Sequence, residues 1–184
     1  MAPISTWLRF ALQQTAAESY LDRFQSGELF LSQALQLGNN SQTGELFSDP
    51  TLPGKTRMTT QQAADFAINY QIVDHHASDA TGFSATLTKD LSDPTGKTFT
   101  LSFRSLEYQN QVNGGDWERD GIAGAAGELS FTGFALAQLV SMERYYRELK
   151  ADPNKLPPGA VLNVTGYSLG GHLATIFTEL HYDD

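Results

Sequence analysis

The chain has 184 residues, of which 40% are apolar and 18% charged, enough for one globular domain that buries roughly 70% of its unfolded surface. Twenty-one acidic residues against twelve basic ones give a net charge of -9, which disfavours nucleic acid and anionic membrane surfaces as partners, because a phosphate backbone requires a positive face. There is no cysteine, so disulfides, thiolate metal sites and a cysteine nucleophile are excluded, and the four histidines lack the H-x-x-x-H spacing of a zinc site.

No apolar run approaches the ~20 residues of a membrane span. The opening "MAPISTWLRFALQQTAAESY" has no basic stretch followed by an unbroken apolar core, so a cleavable secretory signal is not expected. Trp7, Phe10, Ala17, Leu21 and Phe24 share one face of a 3.6-residue period, with Gln14 filling the gap, and predict a helix. Gly27 interrupts it, and a second apolar stretch from Leu29 to Leu37 runs into "GNN", a helix stop. From Asn39 to Lys55 the composition turns to Asn, Ser, Thr, Gly and Pro, which reads as a loop. Residues 1–55 are thus expected to form a helical arm and loop, and 56–184 the main body of a single domain.

Thr59 and Gln62 have capping-box spacing, and Ala63, Phe66, Ala67 and Tyr70 continue as one helical stripe. After "VDHHASDATG", read as polar loop, the period changes to two. Phe83, Ala85 and Leu87 alternate with Ser84, Thr86 and Thr88; Phe99, Leu101 and Phe103 alternate with Thr98, Thr100 and Ser102. "SDPTG" between them has the signature of a type I turn, which makes a β-hairpin. A glycine-dense segment follows, and then Ala135, Leu139, Met142, Tyr146 and Leu149 step along one face of a long helix. "ADPNKLPPG" leads into the strand "AVLNVT". Strand, helix, strand, helix in the last third predicts a parallel crossover and an α/β sheet.

That last strand ends in Gly166-Tyr167-Ser168-Leu169-Gly170, which matches G-x-S-x-G. In such a turn the serine sits strained between strand and helix, and the residues two away on either side must lack side chains. The hydroxyl is lifted clear of the sheet. The N–H of Leu169, at the helix start, faces the space where an oxyanion would develop. Leu169, Leu173, Ile176, Phe177 and Leu180 supply the apolar stripe of the helix that the motif needs after it. The plainer alternative is a Gly/Ser turn with no chemistry.

These residues resemble the class 3 (fungal-type triacylglycerol) lipase family of the α/β-hydrolase fold. "VTGYSLGGHLA" resembles that family's nucleophile elbow, usually G-H-S-L-G-G, with Tyr167 where the family has His. "LSFRSLE", Leu101 to Glu107, resembles its F-R-G-[ST] strand end; "DWERD" resembles W-x-x-D, and "FTGF", Phe131 to Phe134, resembles H-x-G-F. The likeness spans Thr98 to Leu180 and leaves the N-terminal helices outside. It extends to lipase-like modules of bacterial secreted proteins with calcium-binding glycine repeats, although this chain has no such repeat.

The resemblance implies an incomplete α/β-hydrolase fold: N-terminal helices, a β-hairpin and a strand–elbow–helix unit. It implies a lipase or esterase with no cofactor, a small-molecule or lipid ester as substrate, transient contact with a lipid interface, and an extracellular place of action. Ser168 would be the nucleophile. Leu169 and Leu106 would supply the oxyanion N–H groups, with Gly166, Tyr167 and Gly170 forming the elbow. At Leu106 the family's Ser or Thr hydroxyl is missing, and Ser105 stands beside it. The glycine-rich stretch from Glu107 to Gly127 lies where these lipases carry a lid; a mobile cover and an ordinary surface loop are both open readings.

A serine needs a histidine base, and the histidine a carboxylate; in this fold they follow the serine in the order Asp, His. His172 lies one turn into the helix and reads as a packing or capping residue. His181 is at the helix's far end, roughly 20 Å away. His75 and His76 precede the serine and read as a polar loop pair. The expectation is therefore the N-terminal part of a longer hydrolase, with acid and base in the missing C-terminal part of its own chain and poor catalysis as it stands. A non-catalytic lipase-like scaffold or interaction module is the alternative, and a peptidase on the same fold shares the elbow.

Overall fold

The computed structural model describes residues 4–38, 58–105 and 135–183. In chain order it contains α1 (Ile4–Ala17), α2 (Leu21–Gln25), α3 (Leu31–Ala34), α4 (Thr60–Asn69), β1 (Tyr70–His76), β2 (Ala85–Asp90), β3 (Thr98–Phe103), α5 (Leu136–Ala151), β4 (Val161–Gly166) and α6 (Leu169–Leu180). The four strands form one sheet in the order β1-β2-β3-β4. The first three are antiparallel neighbours, whereas β4 pairs parallel to β3 in the register Thr98↔Val161 to Phe103↔Gly166. A parallel neighbour cannot be reached by a tight turn, and α5 lies in the connection between them. This is the mixed α/β sheet that the period change predicts.

The hairpin is where the alternation places it. Asp93 accepts bonds from Thr95 N (2.9 Å) and Thr98 N (2.9 Å), and Gly96, at φ +63°, closes the turn with its N–H on Asp93 O. One face of β2 and β3 carries Ala85, Leu87, Phe99, Leu101 and Phe103. These pack with Met142, Tyr145, Tyr146 and Leu149 of α5 and Leu173 and Phe177 of α6 in the main core. The other face carries Thr86, Thr88, Thr100 and Ser102, all buried. Helix α1 covers it with polar side chains: the Thr88 hydroxyl donates to Gln13 Oε1 (2.6 Å), and Gln14 Nε2 donates to Phe103 O (2.9 Å). Arg9 adds a bond to the Tyr70 hydroxyl (3.1 Å) and an ion pair with Asp90. A hydroxyl-lined sheet face buried without such partners would be costly.

Four sequence expectations need correction. The first helix does not run to Phe24. It ends at Ala17, and Leu21 and Phe24 belong to the separate short α2. Trp7 is 62% exposed, because the buried face of α1 runs through Gln13, Gln14, Ala16 and Ala17 instead. Tyr70 leaves the helical stripe. The capping box at Thr59 and Gln62 starts α4 as expected, but the chain turns extended at Tyr70, φ -135° and ψ 144°, and becomes β1. His75 and His76 are strand residues rather than loop, paired with Thr86 and Ala85. The mixed polarity of "YQIVDHH" and a register shift between Ile72 and Asp74 hide the period of two. The expected loop from Asn39 to Lys55 lies outside the described residues.

His75 yields a pH prediction. Its ring is buried, with Nδ1 2.9 Å from Thr86 Oγ1. Burial first, then the positive charge of Arg104, hold its pKa down from 6.5 to about 3. The unfolded chain therefore binds a proton that the folded one refuses. Stability present above pH 6.5 is lost as the pH falls toward 3, by about 1.4 kcal/mol per pH unit. Urea unfolding between about pH 4 and pH 6 is expected to show a shallower slope in His75→Gln than in wild type; equal slopes would contradict this account.

Candidate active site

Strand β4 and helix α6 are joined by two residues, Tyr167 and Ser168. Ser168 has φ 54° and ψ -121° and is the one non-glycine residue with positive φ among those described. Such a conformation costs an L-residue about 1–3 kcal/mol and persists only where its surroundings impose it. Here the surroundings are glycine backbones. A Cβ added to Gly166 would overlap the carbonyl of Gly170 and stand 2.7 Å from Gly171 N. One added to Gly170 would overlap the carbonyl of Phe103 and stand 2.7 Å from Arg104 O. The first turn of α6 thus lies directly against the ends of β4 and β3. Only by turning sharply at Ser168 can the chain leave the sheet and enter a helix this close to it.

The turn leaves Ser168 and Tyr167 exposed, while Leu169 and Gly170 are buried against the sheet. Helix α6 makes its first internal bond from His172 N to Ser168 O (3.2 Å). The N–H groups of Leu169, Gly170 and Gly171 precede that bond at the helix start, where amides have no intrahelical acceptor and the helix dipole favours negative charge. An exposed hydroxyl and a set of helix-start donors therefore share one spot.

The strand end beside the elbow is held from the other side of the sheet. Glu18 follows α1 and is 1% exposed. Its Oε1 accepts from Ser105 N (3.0 Å) and from Gln14 Nε2 (2.8 Å), and its Oε2 accepts from the Ser105 hydroxyl (2.8 Å). Arg104 Nη2 donates to the Glu18 backbone carbonyl (3.3 Å). Burial pushes the Glu18 carboxyl above its ordinary pKa, against the opposing pull of the Arg104 charge and of the bonds from Ser105 and Gln14. The Ser105 hydroxyl is consequently committed to Glu18. Sequence reasoning missed Glu18, because a single glutamate at the end of a helix reads as a solvated charge; the run of polar residues at 13, 14 and 18 on one helical face was the available signal.

The remaining candidates fall apart in space or outside the description. Leu106, the stretch from Glu107 to Gly127 and the segments "DWERD" and "FTGF" lie outside the described residues. His181 bonds Glu143 Oε1 through Nε2 (2.8 Å) and packs on Tyr146 and Phe177 at the far end of α6. His75 is spent on Thr86, and the His76 ring packs on Phe83 and Tyr145. Among the described residues no side chain hydrogen-bonds the Ser168 hydroxyl, no group of three acidic or histidine side chains is arranged to hold a metal ion, and no helix is long and apolar enough to cross a membrane. A groove of about 600 Å³ is lined by Leu156, Pro157, Leu162, Val164, Phe177 and His181 among others. It lies at the opposite end of the β4–α6 unit and does not include Ser168.

No protein-family model and no curated protein matches this chain. Two solved structures are similar to it. Lipase II from Rhizopus niveus is 18% identical with a TM-score of 0.46, and the match covers 98% of this chain and 57% of that one. The triacylglyceride lipase of Rhizomucor miehei is 16% identical with a TM-score of 0.44, over the same shares of the two chains. The chain thus spans a little over half the length of these lipases. Likenesses of this degree describe a similar arrangement of helices and strands and say nothing of this chain's chemistry.

The glycine contacts make a graded prediction. Gly166→Ala and Gly170→Ala each push a methyl into backbone that cannot give way, and each is expected to cost roughly 3 kcal/mol or more. At Gly171 the same methyl would meet Gly166 O at 3.3 Å. There the gain in helix propensity, about 1 kcal/mol, offsets the crowding, so Gly171→Ala is expected to stay within about 1 kcal/mol of wild type. Denaturant unfolding of the three variants checks the order; equal losses at all three positions would contradict it.

Proposed function

We propose that this chain carries the nucleophile-bearing part of a serine ester hydrolase, of lipase or esterase type. The observation that carries the reading is the exposed Ser168 held at positive φ beside the first amides of α6. A surface turn with no chemical task has no need of a conformation that disfavours serine and forbids a side chain at both Gly166 and Gly170.

In the proposed reaction the Ser168 oxygen attacks the ester carbonyl, its proton passing to a base. The carbonyl oxygen becomes an oxyanion, which the N–H of Leu169 receives, together with that of Leu106. Loss of one such donor typically costs ~3–4 kcal/mol of transition-state stabilisation. Collapse of the intermediate expels the alcohol, which takes up the proton, and leaves an acyl-serine. Water then attacks the acyl-serine, releases the carboxylic acid and restores the hydroxyl. Since no described side chain bonds the Ser168 hydroxyl, the base and its orienting carboxylate are assigned to residues outside the described ones. Buried Leu169 and the apolar stripe behind it hold the helix start, while Tyr167, next to Ser168 in the chain, is exposed.

A second reading, a lipase-like scaffold without catalysis, is favoured by the same missing partner at Ser168. The two readings part on one experiment. The full-length protein treated with a fluorophosphonate probe is expected to be labelled on Ser168 and to lose the label in Ser168→Ala. Equal labelling of wild type and variant would remove Ser168 as the nucleophile, and no labelling of either would favour the scaffold.

A further inference from the structure

We infer that Glu18 is a positioning residue for the elbow: through Ser105 it fixes the end of β3 on which the first turn of α6 rests. The inference rests on the reading of Ser168 given above, but its physical content stands on separate contacts. Three consecutive residues after the middle of β3 are tied to the end of α1: Phe103 through its carbonyl to Gln14, Arg104 through its guanidinium to the Glu18 carbonyl, and Ser105 through both its N–H and its hydroxyl to the Glu18 carboxylate. The carbonyls of Phe103 and Arg104 are also the atoms that a Cβ at Gly170 would strike. One short piece of backbone is therefore gripped by α1 from one side and pressed by the elbow from the other.

The grip is built rather than incidental. Glu18, Gln14 and Ser105 are 1%, 6% and 4% exposed, and a carboxylate is rarely placed so deep unless paired and fully hydrogen-bonded. Gln14 spends both amide hydrogens within the cluster, one on Glu18 Oε1 and one on Phe103 O. Charged acceptors form the stronger bonds, so Glu18 holds Ser105 more firmly than a neutral side chain of the same shape would. If the end of β3 shifts, the surface that forces Ser168 into its turn shifts with it. A displacement of the order of an ångström is enough to misplace a reacting group.

Two readouts on the full chain test this, one of them independent of any activity. The first is amide hydrogen exchange at His172, whose N–H makes the first bond of α6, on Ser168 O, with Met142 and Leu149 of α5 as references. Glu18→Gln is expected to raise exchange at His172 at least tenfold while leaving the references within about twofold. Leu35→Val, which loosens the apolar cluster beneath α1 to α4, is expected to leave His172 unchanged. If Glu18→Gln does not fold, Ser105→Ala, which removes only the bond to Oε2, gives the same readout with a smaller rise. The second readout is the fluorophosphonate labelling rate at Ser168, expected to fall at least tenfold in Glu18→Gln and not in Leu35→Val. Unchanged exchange at His172, or a rise spread equally over Met142 and Leu149, overturns the inference even where Ser168 is labelled. A wild-type chain that is not labelled overturns the hydrolase reading instead, and exchange alone then decides whether Glu18 holds the elbow.

Discussion

The close approach of three backbones governs this structure. The first turn of α6 lies so near the ends of β3 and β4 that a single methyl at Gly166 or Gly170 would overlap a neighbouring carbonyl. That approach is possible only because β3 and β4 are parallel neighbours in register from Thr98↔Val161 to Phe103↔Gly166, so that both strands end at the same height. Ser168 then has one way to join strand to helix, and its positive φ follows from the space available rather than from any preference of serine. Exposure of its hydroxyl and burial of Leu169 are consequences of the same turn. The steric constraint comes first, and the chemistry proposed for the site depends on it.

The sheet above which the elbow stands has two unlike faces, and each is stabilised differently. Its apolar face is an ordinary core, closed by α5 and α6. Its hydroxyl-bearing face, with Thr86, Thr88, Thr100 and Ser102, is closed by α1, whose buried residues include Gln13 and Gln14. Hydrogen bonds of this kind contribute only about 1 kcal/mol each, so their role is less to add stability than to fix the register of α1 on the sheet. A helix packed by oily contacts alone tolerates small slides; one whose glutamines must meet Thr88 Oγ1 and Phe103 O does not. This register brings Glu18 to Ser105, and the N-terminal helices thereby reach the neighbourhood of the elbow.

Local patterns were legible in the sequence where the physics is local. The period of two in Phe99, Leu101 and Phe103, the turn at Asp93 and Gly96, the capping box of α4 and the G-x-S-x-G turn each concern residues within a few positions of one another, and each stands where the pattern puts it. What was not legible depended on distant partners. Strand β1 was hidden because an outer strand with a register shift and a buried polar histidine does not alternate cleanly. Trp7 was placed on the buried face by the apolar period it shares with Phe10 and Ala17, whereas α1 buries the side that matches a polar sheet face. Glu18 was invisible for the same reason, since only the fold reveals that Arg104 and Ser105 lie beside it. The histidines show the converse: helix geometry alone kept His181 from the role of base, and His181 is bonded to Glu143 at the far end of its helix.

The central claim is that the elbow presents Ser168 as a nucleophile toward an acyl group. The most direct measurement is the first turnover with a p-nitrophenyl ester of a short fatty acid, quenched in acid and followed by mass analysis of the peptides. The account predicts an acyl group on the peptide containing Ser168, formed in step with release of p-nitrophenol and absent in Ser168→Ala. An acyl group on another residue, or release that proceeds undiminished in Ser168→Ala, would contradict it.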